Sequence, residues 1–226
     1  MANNIHPTAV IGDQVILGNG NYIGPYSVIY GPTTMGDNNW IGPHVVIGTP
    51  GQDTRNRHYD SSESRIVIGN NNIIREFTAI QKPCYRGVTS VGNNVFLMQS
   101  VHIPHDAILE DDVVVTPMVV LAGITRIMQG ANLGIGCAIH QYCVVGPYSI
   151  VGMGASLTKS LKPFSKFVPG KPLAVNSYAV DRYGFSDVRD EIENYLVNGI
   201  SPTSGRLLEI VKRFESATSV SDRMVL

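Results

Sequence analysis

Charge is scarce in this 226-residue chain: Asp, Glu, Lys and Arg together make up 15% of it and nearly cancel, leaving a net −1. That balance gives no general attraction for a nucleic acid. Three cysteines, Cys84, Cys137 and Cys143, fall in no metal-ligand spacing and are too few for a disulfide framework, so neither a metal site nor a disulfide scaffold is expected. There is a single tryptophan and no apolar run of membrane-spanning length. The opening residues Met1-Ala2-Asn3-Asn4 have neither the basic nor the apolar region of a secretory signal. With these classes removed, the expectation is a soluble, cytoplasmic protein with no nucleic-acid partner and no integral membrane segment.

What the chain has instead is a period. An aliphatic residue returns every sixth position, first through Ile5, Ile11, Leu17, Ile23, Ile29, Met35, Ile41 and Ile47. After a phase break come Ile68, Ile74 and Ile80, and after a second break the ladder runs from Val91 through Leu97, Ile103, Leu109 and onward to Leu157. Glycine often follows the aliphatic residue, as in Ile23-Gly24 and Leu133-Gly134. Such hexads are the signature of a β-helix. Each hexad supplies a short strand and a bend, with the aliphatic side chain inward and glycine or another permissive residue taking up backbone of positive φ. Four places after the aliphatic stands a compact residue, such as Ala9, Ser27, Ala107, Cys137, Cys143 or Ala155, which suits a narrow interior. Three hexads closing one coil give an eighteen-residue repeat, with coils about 4.8 Å apart.

Three departures from the ladder organise the rest. A polar, turn-rich loop at about 49–65 interrupts the stack, and a loop of that length in a regular solenoid is functional or disordered. A shorter slip covers Gln81 to Ser90. Near Lys162-Pro163 the ladder ends and helical spacing takes over, with one helix over 187–197 after Ser186 as N-cap and another over 203–216. The expected organisation is a β-helix over 1–170 and a helical region over 171–226 packed on the last coils.

Chemistry concentrates in Leu97-Met98-Gln99-Ser100-Val101-His102-Ile103-Pro104-His105-Asp106. Two histidines and an aspartate beside one ladder residue place imidazoles on the outside of the prism. Gln141, in Ile139-His140-Gln141-Tyr142, follows His105 by two coils, so the two share an edge about 10 Å apart. Between Ala155 and Arg182, Lys159, Lys162, Lys166, Lys171 and Arg182 stand against Asp181 alone, a patch suited to an acidic protein or a diphosphate.

Those motifs, with Gln52-Asp53 in the loop, Arg75-Glu76 after it, His140-Gln141-Tyr142-Cys143 and Arg182-Tyr183-Gly184-Phe185-Ser186 before the helices, resemble the UDP-N-acetylglucosamine O-acyltransferase family of lipid A biosynthesis along essentially the whole chain. The resemblance implies a left-handed parallel β-helix of triangular section with a small C-terminal α-helical domain, assembled as a homotrimer with sites between neighbours. It implies acyl transfer from the phosphopantetheine of an acyl carrier protein, with no bound cofactor, to the sugar 3-position of a UDP-N-acetylglucosamine-like nucleotide sugar. His105 would be the general base, Asp106 its orienting partner, and a backbone N–H near Gly123 the oxyanion donor. Gln52 would shape the loop, Asp53 would meet sugar hydroxyls, and His102 the sugar or its phosphates. His140, Gln141, Asn176 and Arg182 would line the nucleotide and diphosphate region. Met153 falls where the family sets acyl length by side-chain size, and its bulk implies a short or medium chain. Ile124 and Gln81 stand where the family carries histidines. Two alternatives share the prism: an acetyl-coenzyme A-dependent nucleotide-sugar N-acetyltransferase, and a γ-class carbonic anhydrase-like metal protein, whose partner ligands are missing around Gln81 and Phe96-Leu97-Met98.

Overall fold

The computed structural model of the chain describes residues 1–53, 55 and 64–226, so the centre of the loop expected at about 49–65 lies outside the described residues. Very short strands stack into three sheets of ten, eight and seven strands among the described residues, all in parallel except the last pair, Ser165–Phe167 with Ala174–Val175. The chain visits the sheets in rotation: Phe96–Leu97 on a first face, His102–Ile103 on a second, Ile108–Leu109 on a third, then Val114–Val115 on the first again. The register confirms the eighteen-residue coil, since Tyr22 pairs with Trp40 and Val114 with Asn132.

The ladder residues form the core. Ile23, Ile29, Ile41, Ile74, Leu97, Ile103 and Leu133 are all 0% exposed. The compact fourth residues point inward beside them, and Cys137 and Cys143 are fully buried free thiols whose pKa is pushed up to about 11 by burial. A buried Leu or Ile is worth about 1.5–3 kcal/mol, so the stack needs little other stabilisation.

One expectation about the turns is corrected. Except at Gly48, with φ 93°, the glycine that follows a ladder residue does not supply positive φ. A Cβ on Gly24 would lie 2.9 Å from the Gly42 carbonyl carbon, and one on Gly134 would lie 2.6 Å from the Met153 nitrogen, so close approach of the next coil is what excludes a side chain there. Positive φ falls two residues later and is carried mostly by other residue types, among them Tyr26 at 58°, Asp106 at 61°, Ile124 at 62° and Tyr148 at 61°.

Between the third and first faces the corners carry two rails of side-chain amides. Inside, Asn39 N–H donates to Asn21 Oδ1 at 2.8 Å, and Asn72 N–H donates to Asn39 Oδ1 at 2.9 Å. Outside, Asn19, Asp37, Asn70 and Asn93 each donate their N–H to the Asx side chain of the following coil, at 2.6–2.8 Å.

The C-terminal helices are α1 (Ser177–Arg182), α2 (Arg189–Asn198) and α3 (Gly205–Ser219). The sequence spacing foretells α2 and α3 but not α1. Ser186 is not the N-cap of α2: a short turn over Ser186–Val188 intervenes, Val188 takes the cap position, and the Ser186 hydroxyl donates to Asp181. Phe185, Ile192, Leu207 and Val211 pack with Tyr148 and Phe164 of the last coils, and Phe214 packs on Met128 and Val144.

Candidate active site

Register locates the site. Trp40 pairs with Ile73, 33 residues on, which is 15 beyond a coil; Ile74 pairs with Leu97, 23 on, which is 5 beyond. Both extra segments leave the stack between the second and third faces, the first after Val46–Thr49 and the second after Ala79–Gln81. The following coil turns the same corner through Pro104-His105-Asp106-Ala107 with nothing inserted. The stack is therefore interrupted twice beside one tight turn.

Asp106 holds that turn together. Its carboxylate, 1% exposed, accepts the backbone N–H of Cys84 (3.0 Å), Tyr85 (3.1 Å) and Arg86 (2.6 Å), all from the second excursion. Its left-handed backbone is one that Asp tolerates better than most residues. The adjacent His105 Nδ1 lies 2.8 Å from Asp106 Oδ2. Burial opposes the charge, but the hydrogen bonds from His105 and from the three backbone N–H groups outweigh it and hold the carboxyl below its usual range. An ionised carboxylate only accepts, so the shared proton sits on Nδ1, and in the neutral ring the lone pair is on Nε2.

The His105 ring does not stand free, as the sequence suggests. It is 8% exposed, edge-on to the Tyr85 ring at 5.8 Å between centroids, and it lies over Gly123 of the next coil. A Cβ at Gly123 would run into Cε1 and Nε2 of the ring. A Cβ at Gly51 would come within 2.7 Å of the His105 Cβ and collide with the Cys84 sulfur. Both glycines are required by the imidazole and its surroundings.

Asp53 joins this corner, while Gln52 beside it is exposed. The Tyr85 hydroxyl donates to Asp53 Oδ2 at 2.8 Å, so one tyrosine bonds Asp106 by its backbone and Asp53 by its side chain. Arg55 grips the same carboxylate, Nη2 to Oδ2 at 2.7 Å. Arg55 first, then Tyr85, hold Asp53 well below the usual carboxylate range. Its oxygens are thus already engaged by protein groups.

His102 lies on the second face one strand residue before Ile103; burial pushes its pKa down, and its Nε2 is buried with no hydrogen-bond partner. Gln81 is 3% exposed with its Oε1 equally unpartnered. Each such atom costs about 1–3 kcal/mol unless a ligand or water completes it. Gln141 stands two coils from His105 on the same corner, and exposed His140 precedes it. A residue that the sequence did not single out meets them: Arg223, from the C-terminal segment, donates Nε–H to the Gln141 carbonyl at 3.0 Å and approaches His140 Nδ1 at 2.8 Å. Tyr85 was equally unforeseen; both lie in aperiodic stretches without a motif.

Other candidates lie elsewhere on the prism. Asn176 and Arg182 line a cleft of about 710 Å³ over the first face, with Lys166, Tyr178 and Tyr183. The Asn176 amide donates to the Tyr148 carbonyl at 2.8 Å, and the Arg182 guanidinium lies 5.9 Å from the Tyr183 ring centroid. In a three-faced prism the first face is opposite the corner of His105. Met153, 76% exposed, occupies the corner between the first and second faces. Within one chain, then, His105, Asp106, Gly123 and Asp53 converge, and Asn176, Arg182 and Met153 do not join them. In the basic patch, Lys162 is committed to the Tyr195 ring at 5.2 Å and Asp181 to Arg189. No group of three His, Cys, Asp or Glu that could hold a metal is found among the described residues, nor is any helix there long and apolar enough to cross a membrane.

No family model matches the chain. Its sequence is 30% identical over 139 residues to the acyl-[acyl-carrier-protein]–UDP-N-acetylglucosamine O-acyltransferase of Aliivibrio fischeri, covering 60% of this chain and 53% of that one. The enzyme of the same name from Pseudomonas fluorescens is 32% identical over 141 residues, covering 61% and 55%. The chain thus spans about half the length of the curated relatives it matches. Two solved UDP-N-acetylglucosamine acyltransferases superpose over nearly all of it: that of Francisella novicida (TM-score 0.69, 28% identity, 100% of this chain and 90% of that one) and that of Bacteroides fragilis (TM-score 0.71, 29%, 99% and 98%). The three-faced stack is therefore a left-handed parallel β-helix with a small helical C-terminus. By sequence and by fold together, the chain is similar to the UDP-N-acetylglucosamine O-acyltransferases.

Proposed function

We propose that this protein transfers a short or medium acyl chain from the phosphopantetheine thiol of an acyl carrier protein to the 3-position of a UDP-N-acetylglucosamine-like nucleotide sugar, with His105 as general base. The observation that carries the proposal is the His105 Nδ1 to Asp106 Oδ2 hydrogen bond of 2.8 Å, with the carboxylate anchored by three backbone N–H groups. That arrangement keeps an imidazole lone pair aimed away from Asp106, at a corner where an acceptor hydroxyl or amine can reach it. As the acceptor oxygen or nitrogen attacks the thioester carbonyl, Nε2 takes its proton. The tetrahedral intermediate expels the thiolate, and the imidazolium returns the proton to sulfur. A backbone N–H near Gly123, whose Cα lies against the ring, would be the oxyanion donor.

The separation of His105 from the Arg182 cleft across the prism supports a site shared between copies, and we infer a homotrimer in which one subunit supplies the base and its neighbour the nucleotide cleft. Lys166, Arg182 and two tyrosines there suit a diphosphate and a base ring. Met153, exposed at its corner, would meet the acyl chain only against a neighbour. Incubation with candidate nucleotide sugars and an acyl-carrier-protein pool of graded chain lengths, read by mass spectrometry, tests the activity. His105→Ala should lower turnover about 10²–10⁴-fold. Mixing His105→Ala with Arg182→Ala subunits should restore part of the activity lost by each. Met153→Gly should lengthen the preferred donor, whereas wild-type preference for a long chain would refute the length assignment.

A further inference from the structure

The C-terminal segment after α3 returns to the corner of the site. The Ser221 hydroxyl donates to the Tyr142 carbonyl at 2.6 Å, Ser160 N–H donates to the Met224 carbonyl at 2.8 Å, and Leu226 N–H donates to the Ser160 carbonyl at 2.8 Å. Leu226 packs against the core of the last coils. This anchorage puts the Arg223 guanidinium on His140 and Gln141, with Nε–H to the Gln141 carbonyl at 3.0 Å and Nη2 to His140 Nδ1 at 2.8 Å.

A guanidinium has only donors. At 2.8 Å, His140 Nδ1 must therefore accept, and a nitrogen that accepts carries no proton. A competing contact from His140 Nδ1 to the Gln141 carbonyl is 3.4 Å long, at the limit of a hydrogen bond, and that carbonyl already takes the Arg223 Nε–H. The ring proton consequently belongs on Nε2, the nitrogen on the far side of the ring from Arg223, and His140 is itself exposed.

We propose that Arg223 is a positioning residue that locks His140 in its Nε2–H tautomer, so that the ring offers a fixed N–H donor to an acceptor oxygen of the bound nucleotide sugar. The role toward the ligand rests on the activity proposed above; the tautomer does not. Gln141 is oriented by the same guanidinium through its carbonyl, so one side chain from the C-terminal segment sets two neighbours on the corner that also carries His105 and Gly123.

Two-bond ¹H–¹⁵N correlation spectra of the ligand-free 226-residue chain near neutral pH test the tautomer, with His140 signals identified by their loss in His140→Gln. The wild type should show an unprotonated Nδ1 and a protonated Nε2. Arg223→Met should convert this to a mixture of tautomers and raise KM for the nucleotide sugar about tenfold, the loss of one well-made hydrogen bond, while kcat stays within about twofold. Arg223→Lys, which keeps a donor, should recover part of both. Ser221→Ala loosens the segment without removing the guanidinium and should keep the wild-type signature. The proposal is overturned by a protonated Nδ1 in the wild type, by a tautomer and KM indifferent to Arg223→Met, or by the same change in Ser221→Ala, which would make anchorage and not the guanidinium the cause. A tautomer that responds to Arg223 in a protein that acylates no nucleotide sugar would refute the activity and leave the Arg223–His140 pair standing.

Discussion

Two corners of one prism solve the same problem differently. Between the third and first faces, the earlier coils repeat a device: Asn21, Asn39 and Asn72 inside and Asn19, Asp37, Asn70 and Asn93 outside pass hydrogen bonds from coil to coil. Between the second and third faces nothing repeats. Two excursions leave the stack there, and a single carboxylate, Asp106, gathers three N–H groups from one of them and the imidazole beside it. The first corner is built of interchangeable parts, most of them satisfied by a neighbour of their own kind, and only where the inner rail ends, at Asn72, is a side-chain nitrogen left buried without a partner. At the second, each residue has a different partner, and unpartnered buried atoms remain on His102 and Gln81. Regularity gives stability, and the break in it leaves polar groups available to a ligand.

That contrast breaks down if substitutions at the two corners have similar consequences. The largest effect is expected from Asp106→Asn, which removes the charge that holds the His105 tautomer and one of two strong acceptors for the excursion. Turnover should fall about 10²–10³-fold with a loss of about 2–3 kcal/mol in chemical denaturation. Gly123→Ala comes next. Its methyl group must displace the His105 ring, so activity should fall about 10–100-fold with the secondary structure unchanged by circular dichroism. At the regular corner, Asn39→Val strands Asn72 N–H and the Gly69 carbonyl, and should cost about 2–4 kcal/mol in urea unfolding while the folded fraction keeps its specific activity.

Acid sharpens the comparison. Because the folded pKa of Asp106 is depressed, its contribution is complete above the ordinary aspartate value of about 4 and is lost as pH falls through the lower folded value. Wild-type stability should therefore drop faster below pH 4 than that of Asp106→Asn. The smallest effect belongs to Tyr85→Phe, which removes the 2.8 Å bond to Asp53 and should cost about 1 kcal/mol, read as a few-fold rise in KM.

The sequence carried much of this in its period. Ladder positions such as Ile23 and Ile103 can be read directly because a narrow interior accepts one kind of side chain, and the register breaks around Thr49 and Gln81 fall where the excursions leave the stack. His105 and Asp106 were legible as candidates because their types and spacing have a chemical purpose, Gly123 and Asp53 only through the family resemblance, and the fold brings the four together. The engagement of Asp53 by Arg55 was not legible, since pairing between residues two apart in a turn-rich loop leaves no pattern. Tyr85 and Arg223 act through geometry that only the folded excursion and the returning C-terminal segment create. The role assigned to the glycines was misread for a physical reason: six-residue periodicity reports that a small residue is needed, and crowding from the coil above produces the same pattern as positive φ.

Pairing on either side of the two excursions resumes without loss, Trp40 against Ile73 and Ile74 against Leu97, as though the added residues were absent. Lengthening or rewriting those segments therefore leaves the alignment of every other coil untouched. Selection for a different acceptor can act on the corner alone, with the scaffold's folding energetics held constant.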